Sequence, residues 1–218
     1  MRVRALPIRT AVPVALAATG LLLAGCGTTS GTAAPATAAS GASETGGAPE
    51  AAEEPVKAAA ALGGPGTACA LPVSFALAEK WKPEAIDDPE NPDFAALMRQ
   101  GPATVRCEVD AKPAGHVGYL RVWTAAKGPA RAALEGFVKA EKGASKTAYR
   151  ETKAGALPAT EVTYTVYDKL MEESKEERAF AVSTPKGTVI VHLGGLDTDE
   201  HRAMLPAYEL ARTTLKLS

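Results

Sequence analysis

The chain has 218 residues, 46% of them hydrophobic and 22% charged, with 24 Lys and Arg against 25 Asp and Glu and a formal net charge of −1. That balance offers no basic field to a phosphate backbone, which excludes nucleic-acid binding as a function class. Its three histidines include no His-Glu-x-x-His pair, and its three cysteines include no Cys-x-x-Cys.

At the N-terminus, Arg2, Arg4 and Arg9 precede an apolar run, Ala11 to Leu23, that is too short to span a bilayer. The run closes on Leu23-Ala24-Gly25-Cys26. Small residues ahead of a cysteine at the end of such a run resemble the lipobox of bacterial lipoproteins. There a peptidase cuts an extended backbone at the membrane and the thiol takes a diacylglyceryl group. The resemblance implies that residues 1–25 are a signal peptide and that Cys26 is lipidated, acylated with palmitate-like chains and made the new N-terminus. It also implies that the protein is held at the outer face of the cell membrane. At about 0.8 kcal/mol per buried CH₂, two acyl chains contribute on the order of 20 kcal/mol, so lipid alone is a sufficient tie. A plain secretory signal carrying a chance cysteine is the alternative.

From Gly27 to Gly66 the chain is almost wholly Ala, Gly, Thr, Ser, Pro and Glu, with no aromatic residue. It has too little to bury to offset its ordering entropy, so residues 26–66 are expected to form a disordered tether with ends roughly 35 Å apart. Setting Cys26 aside leaves Cys69 and Cys107, an even pair in an oxidising compartment and therefore an expected disulfide, with two buried free thiols as the alternative.

Residues 67–218 are expected to form one domain. Leu71 to Leu77, Val105 to Val109 and Val117 to Thr124 read as strands; in the second, Val105, Cys107 and Val109 share one face. Pro129 opens a helix whose Ala130, Leu134, Phe137 and Val138 follow the 3.6-residue period, and Lys142-Gly143 ends it. Four more strands follow at Thr147 to Thr152, Glu161 to Tyr167, Arg178 to Thr184 and Thr188 to Leu193, the last two joined by a Pro185-Lys186-Gly187 hairpin. In the second of these, Val162, Tyr164 and Val166 alternate with Glu161, Thr163 and Thr165, which predicts one buried and one wet face. Asp197, with Glu200 three residues on, caps a closing helix striped by Met204, Leu205, Tyr208, Ala211 and Leu215; Pro206 is expected to kink or restart it. The class is α+β: an antiparallel sheet of about six or seven strands with two main helices packed on it.

That order of elements, with Phe75 and with Trp81 after the first strand, resembles the PsbP-like α/β sandwich, a fold shared with mycobacterial LpqN-type lipoproteins. The resemblance implies a non-catalytic accessory or binding domain and transfers no functional residues.

Chemistry is sparse. Ser183-Thr184-Pro185-Lys186 has the Ser-x-x-Lys spacing of acylating enzymes, but it falls on a strand end and hairpin where the lysine is not one helical turn from the serine. Asp197, Asp199, Glu200 and His201 are accounted for by capping and the helix dipole. Glu172, Glu173, Glu176 and Glu177 read as a wet turn, and His116, His192 and His201 as packed or surface side chains. No catalytic residue, metal ligand or cofactor site is expected. A partner surface is expected at Trp81 and the acidic loop carrying Asp87, Asp88 and Glu90, because long loops in compact domains are disproportionately functional; the alternative, and the favoured one for Trp81, is that it plugs the end of the sheet. The function read from the residues is a surface-tethered binding or accessory module for a protein, an envelope polymer or a lipophilic ligand. The alternatives are an envelope hydrolase with an unrecognised site and a structural protein of export or wall assembly.

Overall fold

A computed structural model describes residues 56–218; the expected signal peptide, Cys26 and most of the expected tether lie outside the described residues. In chain order the elements are β1 (Ala58–Leu62), β2 (Val73–Ala78), β3 (Lys82–Ala85), a 3₁₀ turn (Pro92–Met98), β4 (Arg99–Gln100), β5 (Ala103–Asp110), a second 3₁₀ turn (Lys112–Ala114) and β6 (Gly118–Ala125). Then come α1 (Ala130–Ala140), β7 (Ala144–Ala154), β8 (Leu157–Asp168), β9 (Glu173–Thr184), β10 (Gly187–Gly195), α2 (Thr198–Thr214) and β11 (Lys216–Leu217).

The main sheet has eight strands in the order β3-β5-β6-β10-β9-β8-β7, with β4 also on β5, and every pairing in it is antiparallel. The α+β class is therefore correct. Helix α1 packs on one face over β8, β9 and β10, while α2 and β2 cover the other. A small sheet, β1-β2-β11, completes that second layer. Two cores result. On the α2 side lie Phe75, Leu120, Val122, Phe180, Val189, Val191, Leu193, Met204 and Tyr208. On the α1 side lie Trp123, Leu134, Phe137, Val138, Val162, Tyr164 and Ile190. The wet face expected for β8 is thus a second interface: Glu161, read as outward, is 0% exposed and meets Arg150 and the Tyr208 hydroxyl.

Four other expectations change. The order begins before residue 67, because Ala58–Leu62 pairs with β2 and drops Leu62 into the core; an alanine run next to a hydrophobic edge strand needs only backbone pairing to be held. In β5 the register slips between Val105, which faces Trp123, and Cys107, which faces Val122. That bulge at Arg106 sends Val105 to the α1 core and Cys107 and Val109 to the α2 core. Pro206 neither kinks α2 into two helices nor restarts it. The carbonyl it deprives of a partner belongs to Arg202 on an exposed turn, where water replaces the bond. Finally, the glutamates read as a turn are strand residues of β9 from Glu173 onward.

The predicted caps and staples are in place. Asp197 accepts the Glu200 backbone N–H at 2.8 Å. Cys69 and Cys107 are bridged with Cα atoms 6.0 Å apart, and both are buried, at 1% and 0% exposed.

Candidate functional site: a polar cleft at the end of α1

Where α1 ends, the sheet is left uncovered on its α1 face, and strand alternation delivers polar rather than apolar side chains into the gap. β10 places His192 there, two residues on from the buried Ile190. β9 continues its buried Ala181–Ala179 row with Glu177 and then Lys175. β6 contributes Tyr119 and Arg121, and Glu141, the residue that caps the C-terminus of α1, closes the side opposite. The cleft so formed, of about 400 Å³, is also lined by Gln100, Val166, Tyr167, Asp168 and Lys169. Gly194 makes it possible: a Cβ there would lie 2.7 Å from the Tyr119 ring, which instead lies across β10.

The floor is a buried network. His192 Nε2 stands 2.7 Å from Glu177 Oε2 and 3.2 Å from the Tyr164 hydroxyl. The other Glu177 oxygen takes Lys175 Nζ at 3.1 Å, and the same ammonium donates to the Gly195 carbonyl at 2.9 Å. Burial pushes the Glu177 carboxyl upward, but His192 and Lys175 more than offset it, so its pKa lies below the usual glutamate value. Burial raises Tyr119 and Tyr164, and burial also raises Glu141, with His192 and Lys175 opposing and Glu177 adding. His192 is 6% exposed, yet its Nδ1 has no hydrogen-bond partner. The Glu177 carboxylate engages Nε2 and leaves Nδ1 as the unpartnered ring nitrogen. Glu141 is half-buried and likewise makes no side-chain hydrogen bond or ion pair among the described residues. The lining contains no serine, threonine or cysteine.

The residues singled out in the sequence fall elsewhere. Trp81 is a core residue at 7% exposed, packed in the α2-side cluster, so it is not available as a surface anchor; its chain segment turns inward before β3. Asp87, Asp88 and Glu90 are exposed, and Asp88 pairs with Arg106 at 2.8 Å, so the acidic loop and Trp81 do not form one surface. Ser183 donates to the Gly128 carbonyl at 2.8 Å and Lys186 sits in the hairpin, which leaves no acylating pair. His116 lies 3.4 Å from Glu200, and His201 is buried at 2% exposed. Among the described residues no three His, Cys, Asp or Glu side chains are grouped to hold a metal ion. Of the sequence candidates only His192 is at the cleft. Glu177, Lys175 and Arg121 were missed; the signal was the parity of Lys175, Glu177, Ala179 and Ala181, which continues a buried strand face.

The chain belongs to a family described as uncharacterised lipoprotein, whose model matches residues 38–215. No curated protein matches it. Among solved structures it is similar to LpqN, described as involved in cell envelope biogenesis of Mycobacterium tuberculosis, at 13% identity over 67% of this chain and 83% of that one, with a TM-score of 0.40. A likeness so slight adds nothing to the PsbP-like expectation. Among the described residues no helix is long and apolar enough to cross a membrane.

Proposed function

We propose that this is an envelope lipoprotein, anchored to the outer face of the membrane through lipid on Cys26, that presents a non-catalytic binding domain whose site is the cleft at the end of α1. The anchor reading is supported by the family and by the lipobox at Leu23-Ala24-Gly25-Cys26. The binding reading is carried by one observation: two side chains that line one cleft, the buried His192 and the half-buried Glu141, each carry a polar group with no protein partner among the described residues, Nδ1 of the first and the carboxylate of the second. A buried polar group left unpaired costs about 1–3 kcal/mol, which pairing with a bound molecule removes. A lining without serine, threonine or cysteine favours binding over acyl transfer.

The experiment is native mass spectrometry of the full-length protein extracted in detergent, beside Gln100→Trp, whose indole fills the cleft from its rim. An added mass released at higher collision energy from the parent, and missing from the variant, supports the reading. A parent that flies bare, or a variant carrying the same mass, contradicts it. The Glu177–His192 pair also suits a hydrolase that activates water; on that reading the parent converts its bound mass to fragments, and His192→Gln retains it intact.

A further inference from the structure

The charges lining the cleft cancel, with Arg121, Lys169 and Lys175 against Glu141, Asp168 and Glu177. Several are satisfied internally. Asp168 accepts the backbone N–H groups of Leu170 and Met171 at 2.7 and 3.2 Å, and Glu177 commits its two oxygens to Lys175 and His192. The groups with capacity to spare are of opposite sign. Arg121 commits only Nε, to Glu108 at 2.6 Å, and its guanidinium is stacked 3.8 Å from the Tyr119 ring centroid; its two terminal nitrogens have no protein partner. Lys175 uses two of its N–H groups, on Glu177 and Gly195, and keeps a third. Glu141 keeps its whole carboxylate.

Arg121 and Lys175 are already ion-paired, with Glu108 and Glu177, so what a ligand can add is a partner for their spare N–H groups and for the Glu141 carboxylate; a neutral ligand would leave all of these unused, and a simple anion or cation would engage one pole and not the other. We propose that the cleft takes a zwitterion of amino-acid to dipeptide size, with its carboxylate on the free Arg121 nitrogens and the third Lys175 N–H and its ammonium on Glu141. The assignment rests on the cleft being the binding site. A planar guanidinium held on an aromatic ring is preorganised for two parallel bonds to a carboxylate. Glu141, across the cleft, supplies the complementary anion. The volume of about 400 Å³ is enough for two small residues.

The test is isothermal titration of the full-length protein in detergent with three probes: L-alanyl-L-alanine, its N-acetyl derivative and its C-terminal amide. The zwitterion binds, and each blocked peptide binds at least about tenfold more weakly, because each leaves one pole unengaged. In Glu141→Gln the zwitterion and the acetylated peptide bind within about threefold of each other; in Arg121→Gln the zwitterion and the amide do so. Unchanged thermal midpoints show that the variants are folded. Equal binding of all three peptides to the parent overturns the proposal. So does a failure of all three to bind up to about 10 mM. If native mass spectrometry still shows a cleft-bound mass in that case, only the zwitterion assignment falls; if it shows none, the binding reading falls with it.

Discussion

Protonation of His201 should dominate the loss of stability on mild acidification. The side chain is 2% exposed on the inner face of α2, and its Nδ1 has no partner. Burial drives its pKa from 6.5 down to about 4, with Glu177 and Glu176 opposing and Arg178 and His192 assisting. Between those two values the unfolded chain binds a proton that the folded chain refuses, so stability must fall as pH falls. The contribution is complete above the unfolded value of 6.5 and gone near 4. At about 1.36 kcal/mol per unit, acidification from about pH 7 to 4.5 should cost the parent about 2.5 kcal/mol through this one group. His201→Met keeps the volume and the helix propensity and removes the proton site, so urea unfolding at several pH values isolates the difference. Lowered carboxylates such as Glu177, Glu176 and Asp168 also lose stability on acidification, but they do so in both proteins and cancel. Parallel stability curves for parent and variant, within about 0.7 kcal/mol throughout, would refute the reasoning.

Reducing the Cys69–Cys107 bridge, whose partners are 38 residues apart, should cost about 4 kcal/mol by release of chain entropy. Calorimetry under reductant should then show a midpoint lowered by about 8–16 °C, and a change under about 3 °C would contradict it. Trp81→Ala should destabilise by about 3–5 kcal/mol in urea, since it empties a core position; an unaffected midpoint would return the residue to the surface. Cys26→Ser should abolish incorporation of an alkyne fatty acid, and equal labelling of parent and variant would remove the anchor assignment.

Strands β2 and β5 to β10 and both helices were legible because their signals are local; β1, β3, β4 and β11, short or alanine-rich, carry no such signal. Val162, Tyr164 and Val166 alternate, Leu134, Phe137 and Val138 repeat at the helical period, and Asp197 caps with Glu200. What was not legible depends on the third dimension. Alternation in β8 shows that one face is buried but cannot show that the other is covered too, so Glu161 looked wet until α2 brought Tyr208 to it. The Arg106 bulge reverses half of β5 without any glycine or proline to mark it. The disulfide needed only arithmetic on three cysteines. The cleft, by contrast, is assembled from β6, β9, β10 and the end of α1, and its defining pair, Glu177 and His192, meets across the β9–β10 hairpin, with Glu177 hidden in a charge run, Glu172 to Glu177, that reads as a turn.

The central claim is that a surface-anchored domain works through an occupied cleft, and carboxylate footprinting tests it on cells. A membrane-impermeant carbodiimide and amine label the exposed Glu172 and Glu173 wherever the protein faces outward. The account predicts that those two are labelled on intact cells while Glu141 is protected, and that Glu141 becomes labelled in purified protein stripped by unfolding and refolding. Labelling of Glu141 on cells to the same extent as in the stripped protein, or no labelling of Glu172 and Glu173 until the cells are lysed, would contradict it.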